Sequence, residues 1–517
     1  MSTSYLPFTK VFLGDEVSVA LTGNGHIQVL ANDSGDILHS TISSSEYTEK
    51  IIRSGPLAGA NVDQSFKYLV TITNDKTVRV WEIHGLKIIS EREAAKKPTD
   101  VCFTRDAQTV LITDKFGDVH RYPLHEDEKT TSNVSTNTRT AKRMHDESLI
   151  LGHVSMLTAL LLSEDEKYII TADRDEHIRI SWYPEAYTIE SYCLGHKKFV
   201  SSIHFPSWDT SLLVSGGGDT SLKVWKWLDG RFLYDINISD VVMPFIKVTR
   251  KKSGYGEGSD HEDENGVHIR RGGPVESVHG ENAENDMAVD DEGEKEPQED
   301  QQNEESSEHQ EPAILAVQKI VSLDIDSHKL LVFSVHGATA LFYCQIRGEM
   351  DSSPAVGSID IGSPVLDFDK STRSGEMLVA VDNTWREKDS TVSQEAQYMI
   401  AVKYIDGQLR LSEDSTLRAL VSSLNSTALI KEPDTLEDID YYAALITLPK
   451  NVEAGYNAME DELISSEVQP EGLSGKELGR LKTKKAMLAL QTAGEHGNTV
   501  NPGSEPQPKR QKNELDV

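Results

Sequence analysis

Three segments of the chain alternate apolar and polar residues in one frame: NDKTVRVWEI (74–83), DRDEHIRISWYP (173–184) and GGDTSLKVWKW (217–227). In each, two branched aliphatic residues two apart (Val78/Val80, Ile178/Ile180, Leu222/Val224) predict a half-buried strand. An Asp stands six residues before a Trp or its substitute: Asp75 before Trp81, Asp175 before Ser181, Asp219 before Trp225. Asp suits the tight turn that opens such a strand. DKFGDVHRYPL (114–124), ending on Tyr122, is a weaker copy. The register positions 81, 122, 181 and 225 are 41, 59 and 44 residues apart, and the long step holds a polar insertion, Glu126 to Arg139. Gly152-His153 and Gly195-His196, 43 apart, head the two better copies.

A period of about 40–45 residues with Gly-His at one end and a Trp-Asp-like pattern at the other resembles the WD-repeat β-propeller, in which each repeat is a four-stranded blade. The resemblance implies an all-β fold. GNGHIQVLANDSG (23–35) reads as the last hairpin of an early blade, HGATALFYC (336–344) as a late one, and 368–407 as the final blade. The expected fold is a seven-bladed propeller over residues 1–450. In such propellers the turn Asp bonds the His of the Gly-His pair, which implies Asp175 with His153 and Asp219 with His196; Asp75 is their counterpart in its own repeat.

Charge then divides the chain. Of its 517 residues, 84 are Asp or Glu and 52 Lys or Arg, a net charge of -32. Residues 251–311 hold 20 acidic against 5 basic residues, and Tyr255 is the lone aromatic between Gly254 and Gln310. Such a segment buries too little apolar surface to offset its ordering entropy, and it reads as a disordered acidic insertion. The tail, 451–517, reads as mostly disordered. It has one possible helix, 476–491, where Leu478, Leu481 and Leu488 share a face beside Lys482, Lys484 and Lys485. Cys102, Cys193 and Cys344, scattered and odd in number, exclude a disulfide scaffold and a Cys-based zinc knuckle. No apolar run, Ala159 to Leu162 included, is long enough for a bilayer, and no basic-then-apolar leader opens the chain. The chain reads as soluble and intracellular, with no membrane partner.

No catalytic constellation stands out. GYGEG (254–258) follows no strand, GGG at 216–218 is explained by turn geometry, the 17 histidines lack metal-ligand spacing, and no G-x-S-x-G elbow occurs. The acidity argues against a direct grip on a nucleic-acid backbone. Arg250-Lys251-Lys252, Lys197-Lys198 and Lys482–Lys485 are local basic clusters, and Lys509-Arg510-Gln511-Lys512 resembles a nuclear-localisation patch, so a nuclear location is expected, with the cytoplasm also open. Composition points to an interaction protein.

The stretch from Leu151 to Phe205 is more specific. Its run TADRDEHIRIS, then YP, then IESYCLGHKKFVSS closely resembles the non-catalytic WD-repeat subunit of the fungal tRNA (guanine-N7)-methyltransferase, and DKFGDVHRY (114–122) matches one blade earlier. The resemblance implies a heterodimer with a catalytic subunit, which uses S-adenosylmethionine to form 7-methylguanosine in the tRNA variable loop. This chain would carry no cofactor, would stabilise the catalytic subunit, and would meet tRNA mainly through it. The implied partner-binding residues are Arg179, as an ion-pairing anchor, with Asp173, Arg174 and Glu176, and more weakly Lys115 and Arg121. Arg79 and Lys223 occupy the repeat position of Arg179, so packing explains a basic residue there equally well. The alternative is a generic WD-repeat scaffold or adaptor for another complex.

Overall fold

The computed structural model describes residues 7–125, 148–249, 313–325, 328–346, 354–371, 374–382, 385, 397–412, 414–426 and 439–450. The acidic insertion, the 126–139 insertion and the tail with its possible helix lie outside the described residues. The fold ends within a unit that closes at Pro449.

Seven four-stranded antiparallel sheets are each built from four consecutive strands. They span 8–40, 57–93, 98–152, 157–193, 200–237, 317–360 and 365–411 and are the blades of a seven-bladed propeller, numbered here 1 to 7. The alternation read from sequence is the reason. Val78 and Val80, Ile178 and Ile180, and Leu222 and Val224 are all buried, packed between adjacent blades. GNGHIQVLANDSG and HGATALFYC supply third strands and their turns, Ile27–Ala31 and Ala340–Gln345, rather than a closing hairpin. The first strand of each blade, the one next to the following blade, carries the links around the ring.

Those links are polar side chains on backbone. Asn61 Nδ2 donates to the Val101 carbonyl (3.0 Å), Thr158 Oγ1 to Val200 (2.5 Å), Ser201 Oγ to Val317 (2.5 Å), and Gln318 Nε2 to Leu366. Asp100 accepts from the Leu160 amide (2.9 Å). Blades 7 and 1 share no strand. Their seam is closed by Asp367 and Asp369, which accept from the Val11 (3.0 Å) and Leu13 (2.8 Å) amides. The helix Arg418–Ser426 seals it, burying Leu420 and Leu424 among Phe8, Val11 and Leu30 of blade 1 and Leu378 and Met399 of blade 7. Burial of each such leucine contributes roughly 1.5–3 kcal/mol.

One face of the ring carries the turns between second and third strands and the entries to first strands. Residues 439–449 cross it. Tyr442, Leu445 and Leu448 pack with Phe199, Ala316 and Leu366, from blades 5, 6 and 7 and their entries, and Tyr442 Oη donates to Asp382 (2.6 Å).

Candidate partner face on blades 3 and 4

The repeat is most regular in blade 5. His196 Nδ1 lies 2.6 Å from Asp219 Oδ2, and its Nε2 lies 2.6 Å from Ser215 Oγ, which also accepts from Trp225 Nε1 (2.8 Å). Blade 2 keeps the Trp81 bond to Thr71 Oγ1 (3.0 Å), and Asp75 braces its own turn through Thr73 Oγ1 (2.6 Å) and Thr77. Blade 2 has no imidazole in this network.

Blade 4 departs from the expected pairing. His153 Nδ1 meets Asp173 Oδ2 at 3.0 Å, not Asp175, and its Nε2 meets Thr171 Oγ1 at 2.8 Å. The cause is the residue that closes the second strand, since the two strands are equally long. The second strand of blade 4 ends on Asp173, whose side chain points back to the Gly-His entry. The matching residue of blade 5 is Gly217, where a Cβ would collide with the Phe199 carbonyl, so the acid there must come from the turn, as Asp219. Asp175 instead sits in the turn and donates its amide to Asp173 Oδ1 (2.8 Å). Burial pushes the Asp173 carboxyl up, but bonds from His153 and His177 outweigh it and hold the group well below the usual carboxylate range.

Arg79, His120, Arg179 and Lys223 share one register position, and each finds a different partner. Arg79 Nε donates to Glu91 (2.8 Å) and Nη2 to Ser54 Oγ (2.7 Å). Lys223 Nζ donates to Asp235 (2.8 Å). Both carboxylates lie directly across on the fourth strand. Opposite Arg179 that strand offers Tyr192. Arg179, 8% exposed, donates from its guanidinium to Ser181 Oγ (2.8 Å), the Gly152 carbonyl (3.0 Å) and the Ala186 carbonyl (2.9 Å). Within the chain, the residue expected as an ion-pairing anchor meets no carboxylate among these hydrogen bonds. Arg179 is folded into its blade, Ser181 accepting its Nε where blades 2 and 5 carry a Trp, and burial lowers the pKa of its charged form.

The exposed features lie just above it. Gly117 adopts φ +100, and a Cβ there would lie 2.6 Å from the His153 and Ser155 carbonyls, so glycine alone lets the 115–118 turn of blade 3 rest on the 153–155 loop of blade 4. The His153 amide donates to the Gly117 carbonyl (2.8 Å). Phe116 (54% exposed) and Val154 (86% exposed) thus stand on adjoining turns. Lys96 and Lys115 lie 4.7 and 5.4 Å from the Phe116 ring centre, and the Lys115 amide donates to the Lys97 carbonyl (3.0 Å). Burial, and then the Lys115 charge, lower the Lys97 pKa. The Arg174 amide donates to the Met156 carbonyl (3.0 Å), and its Nη1 reaches the Thr447 carbonyl (3.5 Å). Glu176 occupies the left-handed region at φ 80.

The structure therefore gathers Lys115, Arg174 and Glu176 of the expected set on this face and buries Asp173 and Arg179 behind them. Arg121 is exposed at mid-strand, within reach of Tyr183, and stands apart from the turn. Sequence reasoning missed Phe116, Val154, Lys96 and Lys97. The signal was present as an aromatic inside DKFGD and the Lys96-Lys97 pair upstream of it, but only the fold sets them side by side.

The family description "tRNA methyltransferase TRM82 WD40 domain" matches residues 56–147 and 132–404, which is more than half of the chain. The chain belongs to the TRM82 WD40 family. Two relatives, both called tRNA (guanine-N(7)-)-methyltransferase non-catalytic subunit TRM82, illustrate the likeness. The one from Vanderwaltozyma polyspora is 39% identical over 188 residues, 34% of this chain and 39% of that protein. The one from Aspergillus clavatus is 38% identical over 227 residues, 34% of this chain and 46% of that protein. A third, of the same description, from Sclerotinia sclerotiorum, is 32% identical over 257 residues, 41% of this chain and 50% of that protein. The chain spans half or less of the length of these TRM82 relatives. Blades 3 and 4, with the whole candidate face from Lys96 to Glu176, fall inside the matched family region. No helix among the described residues is long and apolar enough to cross a membrane.

Proposed function

We propose that this chain is the non-catalytic subunit of a tRNA (guanine-N7)-methyltransferase, holding a catalytic subunit that uses S-adenosylmethionine to form 7-methylguanosine in the tRNA variable loop. One observation carries the reading: on a strongly acidic member of this family, an exposed apolar pair, Phe116 and Val154, stands on adjoining turns with the Lys96 and Lys115 ammonium groups against the Phe116 ring. An apolar centre with a cationic rim suits a protein partner that presents carboxylates around an apolar contact. Arg179 serves this face as a positioning residue, bracing the Gly152 carbonyl directly before the His153–Ser155 loop. The chain supplies no methyl-donor site in this reading; it favours the active shape of its partner by binding that shape alone. A nuclear location, with the cytoplasm also open, belongs to this reading, in line with the Lys509–Lys512 patch.

The test is reconstitution with the methyltransferase of the same organism. The chain alone, given S-adenosylmethionine and tRNA, should form no product, and adding it to the catalytic subunit should raise product formation. Methylation by this chain alone, or no complex between the two, contradicts the proposal.

A further inference from the structure

Blades 3 and 4 put the same acid at the same place and surround it differently. Asp173 and Asp114 each end a second strand, and each spends Oδ1 on two turn amides: Asp175 and His177 in blade 4 (2.8 and 3.0 Å), Phe116 and Asp118 in blade 3 (2.8 and 3.1 Å). Their outer oxygens differ. Asp173 Oδ2 faces two imidazoles, His153 at 3.0 Å and His177 at 3.4 Å. In blade 3 the position of His153 is held by Ala94 and that of His177 by Asp118. A second carboxylate thus replaces one imidazole, and a methyl group replaces the other. Asp114 Oδ2 is left buried with no hydrogen bond, its side chain 3% exposed. It points at His120 Nε2, 3.7 Å away, too far for a hydrogen bond.

We propose that Asp114, Asp118 and His120 form a divalent-metal site of the zinc class beneath the Phe116 turn. One donor atom from each lies within 4.8 Å of the others. A zinc ion bonded at about 2.0–2.2 Å gathers an imidazole and two carboxylates at that spacing after small side-chain rotations, with water as fourth ligand. His120 Nδ1 is engaged by Ser148 Oγ at 3.1 Å, the outer hydrogen bond that orients a metal-binding imidazole and leaves Nε2 toward the acids. The ion stands where blade 4 sets imidazoles against its acid. It also fixes the 114–118 turn, so metal content bears on how Lys115 and Phe116 are presented. The inference rests on the geometry of blade 3 and stands independently of which partner binds.

The test uses the full, untagged chain, stripped with chelator and dialysed, then given equimolar zinc chloride near pH 7.5. Expected are about one zinc per chain by atomic emission and a rise in Tm of about 2 °C or more. Both should be lost in Asp114→Asn and His120→Gln and kept in His177→Gln of blade 4. Should the buried variants fail to fold, Asp118→Asn, half-buried, should show the same loss. No bound zinc, or zinc that survives all three blade 3 substitutions, overturns the site.

Discussion

Blade 5 and blade 4 are neighbours built on one repeat, yet they manage the same buried charge differently. Blade 5 completes the His196–Asp219–Ser215–Trp225 network and neutralises Lys223 with Asp235. Blade 4 moves the acid back to Asp173, replaces the Trp by Ser181, and leaves Arg179 on neutral oxygens. A repeat register therefore fixes where a side chain stands but not what it meets, because the partner comes from the fourth strand, which the repeat constrains least. The exposed Phe116–Val154 face lies where blades 3 and 4 depart from the pattern, which ties departure from regularity to candidate function.

The largest contrast is expected between Arg179→Met and Lys223→Met. Removing the guanidinium leaves the Gly152 and Ala186 carbonyls without their donor, at about 1–3 kcal/mol each, so a loss of about 2–4 kcal/mol is expected. Lys223 pairs with a half-exposed Asp235, and its loss should cost about 0–1 kcal/mol. Chemical denaturation of both variants measures this. Equal costs would mean that Arg179 is merely the blade 4 copy of an ordinary pair.

Next comes Asp173→Ala against Asp175→Ala. The first removes the His153 bond and two turn bonds and should cost about 1–3 kcal/mol; the second should cost clearly less. A reversed order would restore the pairing expected from the repeat. The same acid has a pH signature. Its pKa is depressed in the fold, so its contribution is present above the ordinary carboxylate pKa of about 4 and is lost as pH falls below it. Through its bond with Asp173, which outweighs burial, the His177 pKa is raised, so its contribution is present below about 6.5 and lost as pH rises through the raised value. This cluster therefore favours the fold most between about pH 4 and 6.5. Asp173→Asn should flatten both limbs of the Tm–pH curve, and unchanged limbs would remove Asp173 from that role.

How much of this was legible beforehand follows from physical range. Period-two alternation is a local property, so the strands around Val78, Ile178 and Leu222 could be read directly, and the pairing of Asp219 with His196 was implied by the WD-repeat resemblance. The partner of His153 depended on blade 4 carrying an acid, Asp173, at the strand-end position that blade 5 fills with Gly217, which places two acids, Asp173 and Asp175, near one imidazole. The burial of Arg179 depended on the backbone carbonyls of residues 152 and 186. Phe116 and Val154 are 38 residues apart and become neighbours only because Gly117 permits the close approach of two loops. Ring closure by Asp367, Asp369 and the 418–426 helix had no sequence signal, since an Asp on an inner strand resembles any other polar strand residue.

The smallest effect expected is at Glu176. Its left-handed backbone disfavours a side chain, so Glu176→Gly should leave Tm unchanged or raise stability by up to about 1 kcal/mol. A marked loss would show that the Glu176 side chain holds the turn itself.

The central claim is that blades 3 and 4 present the partner face and that their irregularity, rather than the shared repeat, marks it. The most direct measurement is the Kd of the family's methyltransferase subunit for the Phe116→Ala, Lys115→Glu double variant, beside Leu411→Ala on the exposed outer strand of blade 7 as control, with melting curves for both. The account predicts at least about tenfold weaker binding for the double variant at an unchanged Tm, since truncating an exposed apolar centre and reversing a rim charge together cost about 1.4 kcal/mol or more, and unaltered binding for the control. Equal affinity for the double variant, the control and the unmodified chain would contradict it.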